Sequence, residues 1–369
     1  MHFFCLFLKK QTSVQTTTLQ ITKCESSKID QVNFDELPFG EIFTDHMFIC
    51  DYKNGAWSNP RIQPYQPLQI APSARVFHYG QAIFEGMKAY KDDEGGVWLF
   101  RPDQNYERIN KSAERMAMPP LPKDYFFEGL HELLRLDQEW IKPGIGNTLY
   151  VRPFMIASQA GIIASAAEEF TFMIICAPAQ SYFTGSVSVK IEEHYSRAAN
   201  GGFGYAKAAG NYAGQFYPTQ LAKQEGFQQV VWTDATEHKY IEEAGTMNIF
   251  VRLKDTLVTC PVSDRILDGV TRKSLLQMAE DMGIKTEVRP IAVSELVEGI
   301  ASGEMTELFG AGTAAVVSPI SGFSYEGKRY ELPELSEDSY ALRLKNQLMN
   351  IQYNRSEDPH GWREQVVTS

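Results

Sequence analysis

The sequence predicts an α/β protein of two domains, an α+β unit followed by a unit in which strands alternate with helices. Three observations carry this. A chain of 369 residues is long for a single core, at roughly 150 residues per domain. The first half reads as hairpins with two amphipathic helices, whereas from Val187 onward strands and helices alternate. Between them, residues 178–186 form a polar stretch that reads as a linker. The expected division is a poorly ordered extension over 1–38, a smaller unit over 39–177, the linker, and a larger unit over 187–369.

In chain order, Phe43 to Tyr52 alternates as a strand before the turn Lys53-Asn54-Gly55, and three prolines keep Ile62 to Pro72 extended. Phe77 to Tyr90 runs from a turn into a strand, and Asp92 to Gly96 reverses it into Val97 to Phe100 as a hairpin. After Pro102-Asp103 a helix carries Tyr106, Ile109, Ala113 and Met116 on one stripe, with Arg108 off it; Pro119-Pro120 ends it. A second helix covers about Tyr125 to Ile141, and Thr148 to Ile156 and Phe170 to Cys176 are strands. Beyond the linker a helix is expected from Tyr212 to Glu225, delayed or kinked by Pro218. Gln229 to Thr233 is a strand, and Thr246 to Leu253 forms a hairpin with Leu257 to Cys260. A helix follows from Val270 to Met282, then a strand near Glu287 to Ile291, a short helix from Ser294, a strand over Glu307 to Phe309, and a closing helix from Tyr340 to Gln352 burying Ala341, Leu344, Leu348 and Ile351.

A net charge of -11 argues against a nucleic-acid groove or an anionic membrane surface, so a small-molecule function is favoured. Cys5, Cys24, Cys50, Cys176 and Cys260 are scattered without metal-ligand spacing, which points to a reducing compartment and no zinc site. No apolar run approaches the ~20 residues that span a bilayer. The start of the chain lacks the charge order of a signal peptide and the arginines of a transit peptide, so the cytoplasm is expected, with organelle import as the alternative.

Chemistry concentrates in the second unit. Lys207 lies in the glycine-rich stretch GGFGYAKAAGNYAG, where the backbone can approach a ligand closely and hold the amine in a cleft. A desolvated lysine there is fit for a Schiff base, although taken alone the stretch also fits a surface loop. Leu267 to Arg272 places Gly269 before a helix, offering the amides of Val270 and Thr271 to an anion; Gly310 to Ala315 offers amides and the Thr313 hydroxyl. Each turn is individually unspecific. Glu242 and Glu243 precede Gly245 and a buried-looking strand, where a carboxylate can face inward or stay solvated. P-loop, dinucleotide, zinc-protease and serine-hydrolase motifs are absent from the sequence.

Together with FGEIFTDHM, RIQPYQPL, HYGQAIFEGMKAY, LFRPDQNYERI, LYVRPFMI, EEAGTMNIFV, ILDGVTRKSLL and FGAGTAAVVSP, in this order, the lysine stretch resembles the branched-chain amino acid aminotransferases. These are pyridoxal-phosphate enzymes of fold type IV, and the likeness is to the longer type found in animals as well as bacteria, over Phe39 to Tyr353. It implies a smaller α+β domain and a larger, cofactor-binding pseudo-barrel domain. It implies pyridoxal 5'-phosphate as cofactor, Lys207 as the Schiff-base lysine and general acid/base, Glu243 on the pyridine nitrogen and Tyr212 on the phenolic oxygen. Arg108, Val270, Thr271 and Thr313 match the phosphate shell. Phe39, Tyr79, Phe84, Tyr150, Thr246, Met247 and Ala314 match the substrate walls, and Tyr79, Arg152 and amides near Ala314 would meet carboxylates.

The implied reaction is reversible transamination between L-leucine, L-isoleucine or L-valine and 2-oxoglutarate, yielding L-glutamate and branched-chain 2-oxo acids. A homodimer is implied as well, with the loop around Gln159 to Ala164 entering the partner's pocket. Where some animal members carry two cysteines after Thr313, this chain reads Ala314-Ala315-Val316-Val317-Ser318, so a thiol switch is not expected. D-Amino acid aminotransferases and aminodeoxychorismate lyases, which share the lysine and the ring acid, are the near rivals. A non-catalytic cofactor-binding protein of the same fold is the distant one.

Overall fold

The computed structural model describes residues 18–180 and 186–366, and two β-sheets organise them. In the first sheet the strands run in the order Gln20–Ile21, Ala56–Pro64, His46–Lys53, Phe170–Ala179, Thr148–Ala157, Met87–Lys91, Val97–Phe100 and Arg363–Gln365, with Ala82–Phe84 added beside Thr148–Ala157. Thr148–Ala157 pairs antiparallel along its whole length with Phe170–Ala179, and its side chains alternate buried and half-buried, as a strand with one fully covered face requires. The helices Pro102–Arg115 and Lys123–Leu136 contribute to the core on that face, around Phe48, Phe126, Leu130 and Phe172. Gly129, in the middle of the second helix, marks the contact: a Cβ there would lie 2.6 Å from the Phe48 ring. The weak helix propensity of glycine is offset by this close approach.

In the second sheet, Met247–Leu253, Met305–Gly312, Val316–Tyr325, Val187–Ile191, Gln229–Thr233 and Tyr240–Ala244 pair in turn, and the last pairs back onto the first. The ring is closed, which gives the barrel-like shape and removes the edges of these six strands. Alternation sorts the side chains. Ile249, Val251 and Val231 join one core cluster with Ile320 and Phe323. Phe250 points the other way and stacks on Phe309 at 5.2 Å, beneath the helices Val270–Asp281 and Tyr340–Gln352.

Several elements differ from expectation. Residues 18–38, expected as a poorly ordered extension, lie along the first sheet from 18 onward: Gln20–Ile21 pairs with Arg61 and Ile62, Ser27 bonds Asp45, and Leu19, Ile29, Val32 and Phe34 pack on the core. Residues 1–17 and most of the expected linker, 181–185, lie outside the described residues. Phe77 falls in a short helix, Arg75–Tyr79, rather than a turn. The helix Gly210–Gln224 runs through Pro218 without interruption, because the ring sits on the buried face with Gln215 and Ala222, where packing compensates the lost backbone bond. Arg363–Gln365 returns to the first sheet, beside Val97–Phe100, instead of staying with the second unit.

Candidate active site

The segment around Lys207 is clamped between the two sheets. Ala208 bridges Ile83, the Phe84 amide donates to the Lys207 carbonyl at 3.0 Å, and the Lys207 amide donates to Ser112 Oγ at 2.9 Å. The glycines make room for this: a Cβ on Gly204 would lie 2.6 Å from the Arg265 carbonyl. Lys207 Nζ donates to the Tyr212 hydroxyl at 2.9 Å and stands 4.8 Å from the centre of the Phe84 ring. It opens into a cavity of about 610 Å³ between the sheets.

One end of that cavity is built for an anion. Gly269 caps the helix Val270–Asp281 with no side-chain bond, and the amides of Val270 and Thr271 donate no hydrogen bond among the described residues. Their N–H groups and the positive helix end face the cleft. Arg108 stands beside them, donating from Nε and Nη2 to the two Glu85 carboxylate oxygens at 2.7 and 2.8 Å and from Nη1 to the Asp268 carbonyl at 3.1 Å. Burial pushes the Glu85 carboxyl up, but the adjoining guanidinium outweighs it and holds the group below the usual carboxylate range. Asn105 donates to Glu85 as well, at 2.7 Å. Thr313 lines the same region, its hydroxyl donating to the Gly86 carbonyl at 3.0 Å.

A carboxylate faces the cavity from the barrel wall. Glu243 is 3% exposed and accepts from the Leu267 amide at 3.0 Å and Asn248 Nδ2 at 3.3 Å, across the hairpin that pairs these two residues. Arg197 Nη2 lies 2.8 Å from its other oxygen. Burial raises its pKa in spite of that guanidinium, so the site favours a proton shared with whatever faces Glu243.

The other end is aromatic and apolar. Phe39 meets Tyr150 edge-on at 5.2 Å, Phe84 meets Tyr212 at 4.8 Å, and Met247, Phe154 and Ile175 complete the walls with Thr246 and Ala314. Gly86 must lack a side chain here, since a Cβ would overlap the Tyr150 hydroxyl. Arg152 lies over the Phe84 and Tyr150 rings and donates to the Tyr150 hydroxyl at 2.9 Å, while its buried Nε has no partner among the described residues.

Of the residues expected in the site, the fold brings together Lys207, Arg108, Tyr212, Glu243, Val270, Thr271, Thr313, Phe39, Phe84, Tyr150, Arg152, Thr246, Met247 and Ala314 around one cavity. Tyr79 lies apart from them. It ends the helix Arg75–Tyr79, is 43% exposed, and donates to the Ile162 carbonyl at 2.6 Å outside the cleft of its own chain, because the left-handed Gly80 turns the backbone away. Sequence reasoning missed Glu85, Arg197 and Asn248. An acid between apolar neighbours in AIFEGM was a usable signal for Glu85, whereas nothing local marks Arg197.

A family model described as amino-transferase class IV matches residues 82–323. The chain is 43% identical over 332 residues to a branched-chain-amino-acid transaminase of Bacillus subtilis, covering 89% of this chain and 93% of that one. It is 41% identical over 332 residues to a branched-chain-amino-acid aminotransferase of Mycolicibacterium smegmatis, covering 88% and 90%. Among solved structures, the branched-chain aminotransferase of the archaeon Thermoproteus uzoniensis with norvaline superposes with a TM-score of 0.73 at 23% identity, covering 87% of this chain and all of that one.

Proposed function

Because the chain belongs to the class IV aminotransferases, and within them to the branched-chain-amino-acid aminotransferases, we propose that its cleft passes an amino group between L-leucine, L-isoleucine or L-valine and 2-oxoglutarate. The products are the branched-chain 2-oxo acid and L-glutamate. The observation that carries this reading is the alignment of Lys207 and Tyr212, 2.9 Å apart, with a buried Glu243 and a free helix N-terminus around one cavity.

Pyridoxal 5'-phosphate is the cofactor, and the residues fit it. The unbonded amides of Val270 and Thr271, the Arg108 guanidinium and the Thr313 hydroxyl make a phosphate cradle, in which Gly269 has room only for hydrogen because a Cβ would overlap Asn248. Glu243 would hold the proton of the ring nitrogen and Tyr212 would meet the phenolic oxygen. The bound cofactor supplies an electron sink for the substrate's α-carbon.

The protein residues do the rest. Lys207 Nζ anchors the resting state and, as a free amine, takes and returns the proton at the substrate Cα, while Tyr212 keeps it oriented. Phe39, Phe84, Tyr150 and Met247 exclude water from the Cα proton and receive a branched side chain. Arg152 and the turn at Ala314 would bind carboxylates, so that a diacid and an apolar amino acid share one pocket. The 39–43% identities to the relatives named for branched-chain substrates favour this reading over D-amino acid or lyase chemistry.

We further propose a homodimer. Phe77, Ile162 and Ile163 are 62%, 71% and 65% exposed around the Tyr79–Ile162 contact, an apolar surface suited to a second copy whose cleft Tyr79 would then reach. A cytoplasmic setting accords with the free thiols of Cys24, Cys50, Cys176 and Cys260. The test is the visible absorbance of the purified protein. L-Leucine should bleach the band and 2-oxoglutarate restore it; a band answering only to D-alanine would overturn the substrate class.

A further inference from the structure

Behind the substrate end of the cleft, Lys88 on the strand Met87–Lys91 is 5% exposed and has no acidic partner among the described residues. Its Nζ donates to the Ala314 carbonyl at 3.0 Å. The groups facing it around a cavity of about 30 Å³ are Lys345 and Gln352 from the helix Tyr340–Gln352, Tyr353 just beyond, and Tyr90 from its own strand. Gln352 Oε1 is buried and has no hydrogen-bond partner among the described residues, and an unpaired buried ammonium is costly to keep. Burial, and then Lys345, pull this amine down to about 8.

The carbonyl that Lys88 grips belongs to the peptide joining Ala314 to Ala315. In a trans peptide the C=O and N–H point in opposite directions, so drawing the oxygen back toward Lys88 turns the Ala315 N–H the other way, toward the cleft that Ala314 and Ala315 line. The amides of Thr313, Ala314 and Ala315 donate no bond among the described residues. From the other side, the Thr313 hydroxyl ties the same turn to Gly86, two residues before Lys88.

We propose that Lys88 is a positioning residue for the substrate carboxylate, aiming the Ala315 amide into the cleft and placing an uncompensated positive charge behind it. This rests on the transaminase reading and deepens it. An anion bound at the turn stabilises the ammonium, so the two are linked: carboxylate binding takes up a proton, and affinity falls as pH rises through the free amine's value of about 8.

The test is calorimetric titration of the holoenzyme with 4-methylpentanoate, the leucine skeleton without its amino group, in two buffers of different ionisation enthalpy. Wild type should take up protons and bind about tenfold more weakly at about pH 9 than at about pH 7. Lys88→Met should bind about tenfold more weakly at the lower pH and lose the proton uptake that wild type shows at about pH 8 to 9. Lys88→Arg should keep the low-pH affinity and hold it to the higher pH, since arginine stays charged. Wild-type affinity and proton uptake in Lys88→Met would overturn the proposal, as would Lys88→Arg losing affinity with pH as wild type does. A purely structural lysine would change the melting temperature without touching proton uptake. Failure of the transaminase reading shows separately, as wild type that does not turn over leucine, while the affinity ratio between the chains still decides the role of Lys88.

Discussion

The two ends of the cleft are finished to different degrees. At the cofactor end the charged side chains are held in two groups, Arg108 and Asn105 on Glu85 and Arg197 on Glu243, and only the backbone amides of Val270 and Thr271 are left to donate among the described residues. At the substrate end, among the described residues, Arg152 has no carboxylate partner and bonds only the Tyr150 hydroxyl, the turn amides at 313–315 donate no bond, and Phe39 is 36% exposed. A group that stays through every turnover is met by residues already fixed in place, which leaves little reorganisation to oppose binding. Reactants that differ in polarity and must leave again are met by open valences, which either a carboxylate or water can fill.

The largest effect should come from the residue where the two ends meet. Lys207→Ala is expected to keep the fold by circular dichroism while leucine turnover drops by roughly four orders of magnitude; appreciable residual transamination would break the assignment. Glu243→Gln should lower kcat by about two orders of magnitude and leave the cofactor bound, because the phosphate cradle is untouched. Loss of the visible band instead would mean that this end coheres as one unit. At the open end the consequences should be selective. Arg152→Leu should raise KM for 2-oxoglutarate about tenfold, with the leucine value moving much less, as steady-state kinetics with each substrate would reveal. Equal rises for both would show that Arg152 shapes the wall rather than reading charge. Smallest of all, Phe39→Ala should cost about threefold in leucine KM, since that ring is already partly in solvent.

Local pattern made much of this readable. The closing helix Tyr340–Gln352 falls where the spacing of Ala341, Leu344, Leu348 and Ile351 places it, and Lys207 stands out because close approaches at Gly204 require glycine. What escaped notice depends on partners distant in the chain. No strand signal marks Tyr240–Ala244, whose two acids can by local pattern face inward or stay solvated; both are buried because Arg265 and Arg197 come to meet them. Val316–Tyr325 holds a proline, a glycine and serines, which weaken any strand signal, and only its pairing with neighbours on both sides reveals it. Tyr79 carried the right chemistry by resemblance, but a single left-handed glycine decides where the ring goes.

The strand Arg363–Gln365 lies beside Val97–Phe100, and Val366 completes the first core. During synthesis the whole barrel leaves the ribosome before that strand does. Until then the backbone edge of Val97–Phe100 stays open, so the first unit cannot finish folding ahead of the second. The order of manufacture thus runs against the order of the chain: the unit begun first is sealed last.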